Sequence, residues 1–318
     1  MNSPEPRISV IVAVYNCQNT ISKCLESLCA LDHPSYEVVV ADDGSTDRTV
    51  ELCAAFKEVR VIRLDRGGPS RARNVAVRSA RGTIVAFTDG DCIVDGRWLK
   101  ELEKGFVGPD VVGVGGDQIS PADESELGKR IQEFLKISGF VTSYVKTDAV
   151  FRETNHNASC NSAYRKSVFE EIGGFDEAQF PGEDLELDLK LRRRGYRLIY
   201  NPAAIVGHYR PGTYREFSRM MRRYGAGEWH LVRKHGFFRI PDFEPFAAAA
   251  GLVIVLALFL LHPDAWFLVL LPWPIIGFWF FLKTGNIGRA FQFIVLFLII
   301  LANWNWGFFT GYRYRPVK

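Results

Sequence analysis

The sequence predicts an α/β fold with a mostly parallel, Rossmann-like sheet, followed by an amphipathic helix and C-terminal transmembrane helices. Short apolar runs rich in β-branched residues alternate with helical patterns between Ile8 and Thr88, which is typical of parallel strands covered on both faces. Residues 192–239 carry 12 basic and 2 acidic side chains, whereas residues 1–191 carry 22 basic and 31 acidic ones. Between residues 246 and 311 the only charged side chains are Asp264, Lys283 and Arg289. These patterns indicate a soluble domain, a basic segment and a membrane region.

Four apolar runs predict the first four strands: Ile8–Val14, Glu37–Ala41, Val59–Leu64 and Thr83–Thr88. A helical pattern follows each of the first three runs, the first over residues 19–30, and a further helix is expected over Leu185–Arg194. Hydroxyl side chains stand before two of these helices, where they are expected to accept hydrogen bonds from N–H groups of the first turn. They are Ser45 or Thr46 before the second helix and Ser70 before the third.

Acidic side chains follow three of the four predicted strands. Asp42 and Asp43 follow the second strand, Asp65 the third, and Asp89-Gly90-Asp91 the fourth. Ligands of open parallel sheets bind beyond the carboxyl ends of the strands, so these positions are candidate site residues. The segment from Tyr15 to Thr20 after the first strand contains no glycine. A G-x-G-x-x-G dinucleotide site and a P-loop are therefore excluded.

Asp89 and Asp91 stand on one tight loop with a glycine between them. This spacing lets both carboxylates reach one hard divalent cation, Mg²⁺ or Mn²⁺, which keeps open positions for phosphate oxygens. An acidic turn without a ligand is the alternative. The position at a strand end, next to Asp43 at a neighbouring one, favours the metal site.

Three further polar groups have two possible interpretations each. Asp43 can accept a hydrogen bond from a base N–H, or it can cap a helix. Arg71 and Arg73 begin a helix, where cations are unfavourable unless an anion is near, so they indicate a phosphate or a solvated face. Glu183 and Asp184 begin another helix. They are either helix caps or a group that removes a proton from an acceptor hydroxyl.

Six cysteines are present, without a C-x-x-C pair or a cluster of His and Cys along the sequence. The spacing predicts neither a structural zinc nor a redox dithiol, and we expect reduced, mostly buried thiols. The first residues lack the apolar region of a cleaved signal peptide. We therefore expect the N-terminal domain to face the cytoplasm.

Five motifs in order, covering most of residues 7–210, resemble family 2 glycosyltransferases with the GT-A nucleotide-sugar-binding fold. They are ISVIVAVYN, VVVADDGSTDRT, GGPSRARNVAVRSARGTIVAFTDGDC, NSAYRKSVFEEIGGFDE and GEDLELDLKLRRRGYRL. The resemblance implies that Tyr15 and Asp43 contact the base and that Asp89 and Asp91 contact the ribose, the diphosphate and the metal. It also implies that Asp184, beside Glu183, is the catalytic base. His208 stands where several relatives supply a metal ligand, with a structural histidine as the alternative.

Together with the phosphate interpretation of Arg73, the predicted nucleotide-binding residues are Tyr15, Asp43, Arg73 and Asp89. Processive members of the family carry Q-x-x-R-W near the membrane. The nearest match here runs from Met220 to Tyr224, with Met in place of Gln and Tyr in place of Trp. Processive polymerisation is therefore not implied, and Arg223 and Tyr224 are predicted on the acceptor side.

Three domains are predicted, at residues 1–215, 216–240 and 246–312. The first is the glycosyltransferase domain, and the last contains two to three transmembrane helices. The middle segment has apolar residues at helical spacing with arginines opposite, which favours a helix lying in the bilayer interface over one packed in a core. Three full crossings would place the basic C-terminus outside, against the positive-inside tendency, so the number of crossings stays open.

The predicted enzyme is an inverting, metal-dependent glycosyltransferase at the cytoplasmic face of the inner membrane. Its expected partners are a nucleotide-sugar donor, for which a UDP-sugar is favoured, a glycan or lipid-linked acceptor, and membrane lipids. A polyprenyl-phosphate glycosyltransferase and an inactive membrane-anchored binding or scaffold subunit are the alternatives. Nucleic acid is not an expected partner, because the basic segment directly precedes the apolar region and has no recognised binding motif.

Overall fold

A computed structural model describes residues 6–139, 151–262, 264, 270 and 272–314 of the chain. Its strands are β1 (Ile8–Val14), β2 (Tyr36–Asp42), β3 (Val59–Arg63), β4 (Ile84–Asp89), β5 (Cys92–Val94), β6 (Val111–Ile119), β7 (Arg152–Thr154), β8 (Ser162–Arg165) and β9 (Arg197–His208). Its helices are α1 (Ile21–Cys29), α2 (Thr49–Ala54), α3 (Pro69–Ser79), α4 (Trp98–Lys104), α5 (Glu126–Ser138), α6 (Lys166–Glu171), α7 (Glu183–Arg193), α8 (Tyr214–His235), α9 (Glu244–Leu261), α10 (Pro272–Thr284) and α11 (Ile287–Thr310).

The strands form one sheet in the order β3-β2-β1-β4-β8-β6-β9-β5, with β7 paired to β9. The first four strands run parallel to one another. Strand β8 is antiparallel to both β4 and β6, whereas β6 and β9 are parallel. The predicted α/β fold is confirmed. All four predicted strands are present, each within one residue of the expected bounds.

The central strands are buried on both faces because helices cover both sides of the sheet. Val10 and Val12 of β1 pack with α1 in one apolar cluster. Ile11 points the other way, toward Ala72 and Ala76 of α3 in a second cluster. Alternate residues of one strand thus serve two cores, which explains why β1 is apolar without interruption.

The predicted helix caps are wrong. Helix α2 begins at Thr49, beyond Ser45 and Thr46, and the N–H of Thr49 donates to Asp47 Oδ1 at 3.0 Å. The hydroxyl of Ser45 instead accepts from the backbone N–H of Asn16 at 2.9 Å. Ser70 lies inside the first turn of α3 and donates to the carbonyl oxygen of Gln179 at 3.2 Å. These hydroxyls join separate loops of the site edge.

The chain divides into two compact units, of which the first contains the sheet. The second unit consists of Ser125–Ile137 and Pro211–Tyr314. Within it α8 packs closely along α11, since a Cβ atom on Gly225 would lie only 1.9 Å from the carbonyl oxygen of Trp304. Phe134 of α5 packs against Phe293 of α11 at a ring separation of 5.4 Å. One side of α11 is therefore covered by two helices that also carry charges.

Within the described residues, two segments are long and apolar enough to cross a membrane, Ile240–Leu261 and Ile287–Arg313. The side chains of α9 are exposed around the helix, for example Val253 at 65% and Leu260 at 79%. Helix α10 has 13 residues, fewer than a full crossing needs. Part of the membrane region predicted over residues 246–312 lies outside the described residues.

Candidate active site

The candidate site lies at the carboxyl ends of the parallel strands. In the sheet register Val14 of β1 is opposite Asp42 of β2, and Ala13 is opposite Asp89 of β4. Three strands thus end side by side. The loops that follow them carry Tyr15, Asp43 and Asp91, as predicted from the order of the strands.

Asp43 is buried and shapes the loop that precedes α3. One carboxylate oxygen accepts from the backbone N–H of Gly67 at 2.7 Å and the other from that of Gly68 at 2.9 Å. Gly68 has φ of +96°, a conformation that favours glycine. Arg66 forms an ion pair with Asp43, and its guanidinium lies 3.4 Å from the ring centre of the half-exposed Tyr15. Arg66 was not predicted, because only the loop geometry brings it onto the tyrosine ring.

Arg73 connects two predicted parts of the site. Its Nη2 donates to Asp89 Oδ1 at 2.7 Å, and its Nη1 donates to Glu183 Oε1 at 2.7 Å. Arg73 and Glu183 are both less than 5% exposed, so their ion pair is weakly screened. The guanidinium therefore fixes the strand-end carboxylate relative to the start of α7.

Asp91 and His208 are brought together by strand pairing. Strand β5 is antiparallel to β9 with Cys92 opposite His208, which leaves His208 Nε2 3.6 Å from Asp91 Oδ1. On the other side of the ring, Gln118 Oε1 lies 3.3 Å from Nδ1 and accepts from Arg210 Nη2 at 2.8 Å. Because this oxygen accepts, the arrangement favours a proton on Nδ1 and leaves Nε2 facing Asp91.

Asp89, Asp91 and His208 offer one ligand atom each, all within 4.8 Å of one another. Two carboxylates and an imidazole are suitable donors for Mg²⁺ or Mn²⁺ that keeps further positions for phosphate oxygens. The residues present therefore fit the predicted divalent cation.

Asp184 lies in the first turn of α7, after Gly182 in the left-handed conformation at φ of +97°. Its Oδ1 accepts from the N–H of Leu185 at 2.8 Å and its Oδ2 from the N–H of Ser159 at 3.0 Å. The carboxylate keeps 15% of its side chain exposed. Burial, reinforced by the neighbouring Asp184 and opposed by Arg73, raises the pKa of Glu183 to about 7. The two adjacent carboxyl groups thus differ: one is buried against Arg73, and the other reaches the surface.

A buried polar group behind Asp184 was not predicted. Asp188 is fully buried and accepts from the N–H of Asn157 at 2.8 Å and from the hydroxyl of Tyr164 at 2.8 Å. It also lies 2.7 Å from His156 Nδ1, while His156 Nε2 lies 4.0 Å from Asp184 Oδ1. Burial raises the pKa of Asp188 against the effect of these donors. His156 therefore stands between two carboxylates one helical turn apart.

The predicted acceptor-side residues, Arg223 and Tyr224, lie on α8 in the second unit. Both side chains are exposed, Tyr224 to 38%. Their part in acceptor binding stays a prediction.

The family model described as "Glycosyl transferase family 2" matches residues 9–173, just over half of the chain. The chain belongs to glycosyl transferase family 2. The predicted family and the prediction of an enzyme are therefore confirmed, and this chain is a glycosyltransferase.

Among curated relatives, this glycosyltransferase is 32% identical to the succinoglycan biosynthesis protein ExoO of Rhizobium meliloti, over 70% of this chain and 66% of the relative. It is 28% identical to the glycosyltransferase AglE of Haloferax volcanii, over 73% and 77% of the two chains. Its fold is similar to that of the mannosyltransferase PcManGT of Pyrobaculum calidifontis, solved in complex with GDP-Man and Mn²⁺. The TM-score is 0.65 at 21% identity, covering 95% of this chain and 88% of the other.

Proposed function

We propose that this glycosyltransferase moves a sugar with inversion from a nucleotide diphosphate sugar to an acceptor held at the membrane. The observation that carries this proposal is the Arg73 bridge, because it joins Asp89 to Glu183 and hence to Asp184. A donor-binding carboxylate and a proton acceptor must be held in fixed relation for an in-line displacement. The bridge provides that relation.

The donor nucleotide binds at the ends of β1 and β2. The base stacks on Tyr15, which is 40% exposed. Because Arg66 lies over the same ring, the base either displaces this guanidinium or stacks with it. Asp43 acts mainly through the loop that it fixes, since both its oxygens already accept backbone hydrogen bonds. We favour UDP as the nucleotide from the family resemblance, whereas PcManGT was solved with GDP-Man.

Asp89, Asp91 and His208 would hold a Mg²⁺ or Mn²⁺ ion. When bound, such an ion neutralises the negative charge that develops on the leaving diphosphate. The role of Gln118 is to keep Nδ1 of His208 protonated, so that Nε2 faces the carboxylates. PcManGT, of the same fold, was solved with Mn²⁺.

Asp184 removes the proton of the acceptor hydroxyl while the acceptor oxygen attacks the anomeric carbon. The bond between that carbon and the diphosphate oxygen breaks, and the electron pair leaves with the diphosphate. One displacement from the opposite side inverts the anomeric configuration. The two backbone N–H groups that donate to Asp184 hold its carboxylate in place.

The acceptor is a glycan or a lipid-linked sugar, and the enzyme is held at the cytoplasmic face of the inner membrane. Exposed apolar side chains around α9 support a membrane location. Helix α11 is covered on one side by α5 and α8, with Arg289 3.4 Å from Glu133. We therefore place α9 deepest in the bilayer and α11 with one face toward lipid. ExoO, named for succinoglycan biosynthesis, makes a polysaccharide acceptor reasonable.

The deciding experiment measures release of nucleoside diphosphate by the purified full chain in lipid vesicles. UDP- and GDP-sugars are supplied with polyprenyl phosphate or with a lipid-linked sugar as acceptor. We expect release that needs Mg²⁺ or Mn²⁺, is stopped by EDTA and is largely lost in Asp91→Asn. A preference for polyprenyl phosphate would replace the proposed acceptor. Full turnover in EDTA would overturn the metal site, and the absence of any release would favour an inactive binding subunit.

A further inference from the structure

A second set of metal-ligand side chains lies directly beside the carboxylate site. Cys92, Cys160 and His208 each offer one ligand atom, and the three atoms lie within 4.8 Å of one another. Both thiols are buried, at 1% and 5% exposure. The cysteine spacing along the sequence gave no indication of this cluster. Pairing of β5 with β9 and the turn before β8 bring the three residues together.

Asp91 provides a fourth ligand at suitable distances. Its Oδ1 lies 3.8 Å from Cys92 Sγ and 3.6 Å from His208 Nε2. In a tetrahedral zinc site, bonds of about 2.0–2.3 Å place neighbouring ligand atoms roughly 3.3–3.8 Å apart. Two edges of such a tetrahedron are therefore already close to their final length. Cys160 Sγ lies within 4.8 Å of the ligand atoms of Cys92 and His208, whereas Asp91 belongs to the neighbouring group with Asp89 and His208. The Asp91 carboxylate must therefore turn toward Cys160 for all four ligands to bind one ion.

We propose that Cys92, Cys160, His208 and Asp91 form a zinc site that excludes the Mg²⁺ or Mn²⁺ ion of the proposed catalytic site. Two sulfur ligands select a soft or borderline ion, whereas Asp89 and Asp91 suit a hard one. One imidazole nitrogen binds one ion, so His208 cannot serve both. Zinc binding at this site therefore inhibits transfer, and this second half of the proposal rests on the proposed function.

The protons and charges of this binding step balance. Zn²⁺ binds two thiolates, one carboxylate and one neutral imidazole, and the protons that the thiols and the imidazole ring lose on binding pass to solvent. The resulting site carries one net negative charge. Arg210, which donates to the glutamine beside His208, is a nearby cation that offsets it.

The test uses Co²⁺ as a spectroscopic substitute for zinc, with the full chain in detergent and a phosphine reductant. We expect one equivalent of Co²⁺ to give a thiolate charge-transfer band and the visible bands of a tetrahedral ion, both abolished by Zn²⁺. Cys160→Ser should lose most of the charge-transfer band and bind Co²⁺ more than tenfold more weakly. A wild-type protein without that band, or a Cys160→Ser spectrum like that of the wild type, overturns the site.

Two cysteine variants serve as matched controls. Cys29→Ser removes the exposed thiol, and Cys53→Ser removes a buried thiol outside the cluster; both should keep the wild-type spectrum. Thermal unfolding shows whether each variant is folded. Zinc should raise the Tm of the wild type and of both controls, but not the Tm of Cys160→Ser or Cys92→Ala. Loss of the band in Cys29→Ser would identify adventitious surface binding and overturn the proposal.

Inhibition is measured separately, on Mg²⁺-supported release of nucleoside diphosphate. Zinc should stop release by the wild type, a chelator should restore it, and Cys160→Ser should resist zinc at least tenfold better. A Co²⁺ site with the expected spectrum and no inhibition by zinc would overturn mutual exclusion. If no donor is turned over under any condition, the proposed function fails, and the spectrum still decides whether the zinc site exists.

Discussion

Replacement of Asp184 by asparagine separates proton acceptance from the structural role of this carboxylate. The side chain accepts one backbone N–H on each oxygen, from Leu185 and from Ser159. Asparagine has a single carbonyl oxygen, so one of these N–H groups faces an amide NH₂ instead. Leaving a buried donor without an acceptor costs about 1–3 kcal/mol. For a domain of this size each kcal/mol lowers Tm by about 2–4 °C.

The effect on the rate should be much larger than this loss of stability implies. The asparagine amide cannot take up the proton of the acceptor hydroxyl. Loss of a general base reduces rates by about 10²–10⁴. The assay is the initial rate of nucleoside diphosphate release with the best donor and acceptor of the wild type, at a temperature where both proteins stay folded. Nucleotide affinity, measured on the same preparation, should stay close to that of the wild type.

Asp242→Asn is the matched control for stability. Asp242 is a buried carboxylate of the second unit whose Oδ2 accepts from the N–H groups of Phe238 and Arg239 at 2.8 and 2.9 Å. Its Oδ1 accepts from the guanidinium of Arg239 at 2.8 Å. The control should lower Tm by at least as much, because it also removes the buried charge that pairs with Arg239, and it should keep most of the transfer rate. If Asp184→Asn keeps more than about a tenth of the wild-type rate, or if the control loses as much, Asp184 is not the base.

Three further predictions test other parts of the structure. His156→Gln should lower kcat more than it raises KM, because the imidazole of His156 positions Asp184 without touching substrate. An effect on KM alone would contradict this positioning role. The pKa of Glu183 is about 7 in the folded protein and 4.5 in the unfolded chain, so ionisation of Glu183 lowers the stability of the fold as pH rises from about 4.5 to 7. The Tm of Glu183→Gln should therefore fall less over this pH range than the Tm of the wild type. Equal falls in Tm for the two proteins would refute the shift. Leu256→Lys, on the exposed α9, should weaken vesicle binding by about 2.5–3.5 kcal/mol, whereas Val107→Lys, at an exposed position in the first unit, should not; equal losses would argue against lipid contact at α9.

The strands could be predicted from the sequence because their signal is local. Strand β1 has the predicted bounds, Ile8–Val14, since burial on both faces produces an unbroken apolar run. The caps could not be predicted in the same way. A serine can cap a helix or form a hydrogen bond with a distant loop, and the residue type alone does not distinguish the two. Ser45 forms its hydrogen bond with Asn16 because β1 and β2 end side by side.

The candidate site was predicted as a set of acidic positions, and the resemblance supplied their roles. Their partners depend on three-dimensional structure. Arg66 and His156 approach Tyr15 and Asp184 across long stretches of chain, so no local pattern marks them. Asp188 did leave a signal, because a carboxylate four residues after Asp184 stands among the leucines of the buried face of α7. A charged residue on an apolar helix face needs a buried partner.

Close packing of α8 and α11 at Gly225 and Gly307 would limit how a membrane-bound form of this enzyme is oriented. A Cβ atom on Gly307 would lie 2.0 Å from the carbonyl oxygen of Arg222, so the backbones of α8 and α11 touch. Neither helix can then roll about its axis without carrying the other. In a membrane-bound enzyme, the lipid depth of exposed Trp306 would set the angle at which the arginines of α8 meet the headgroups. In such an enzyme, the two glycines therefore couple the depth at which α11 inserts to the orientation of the basic helix α8.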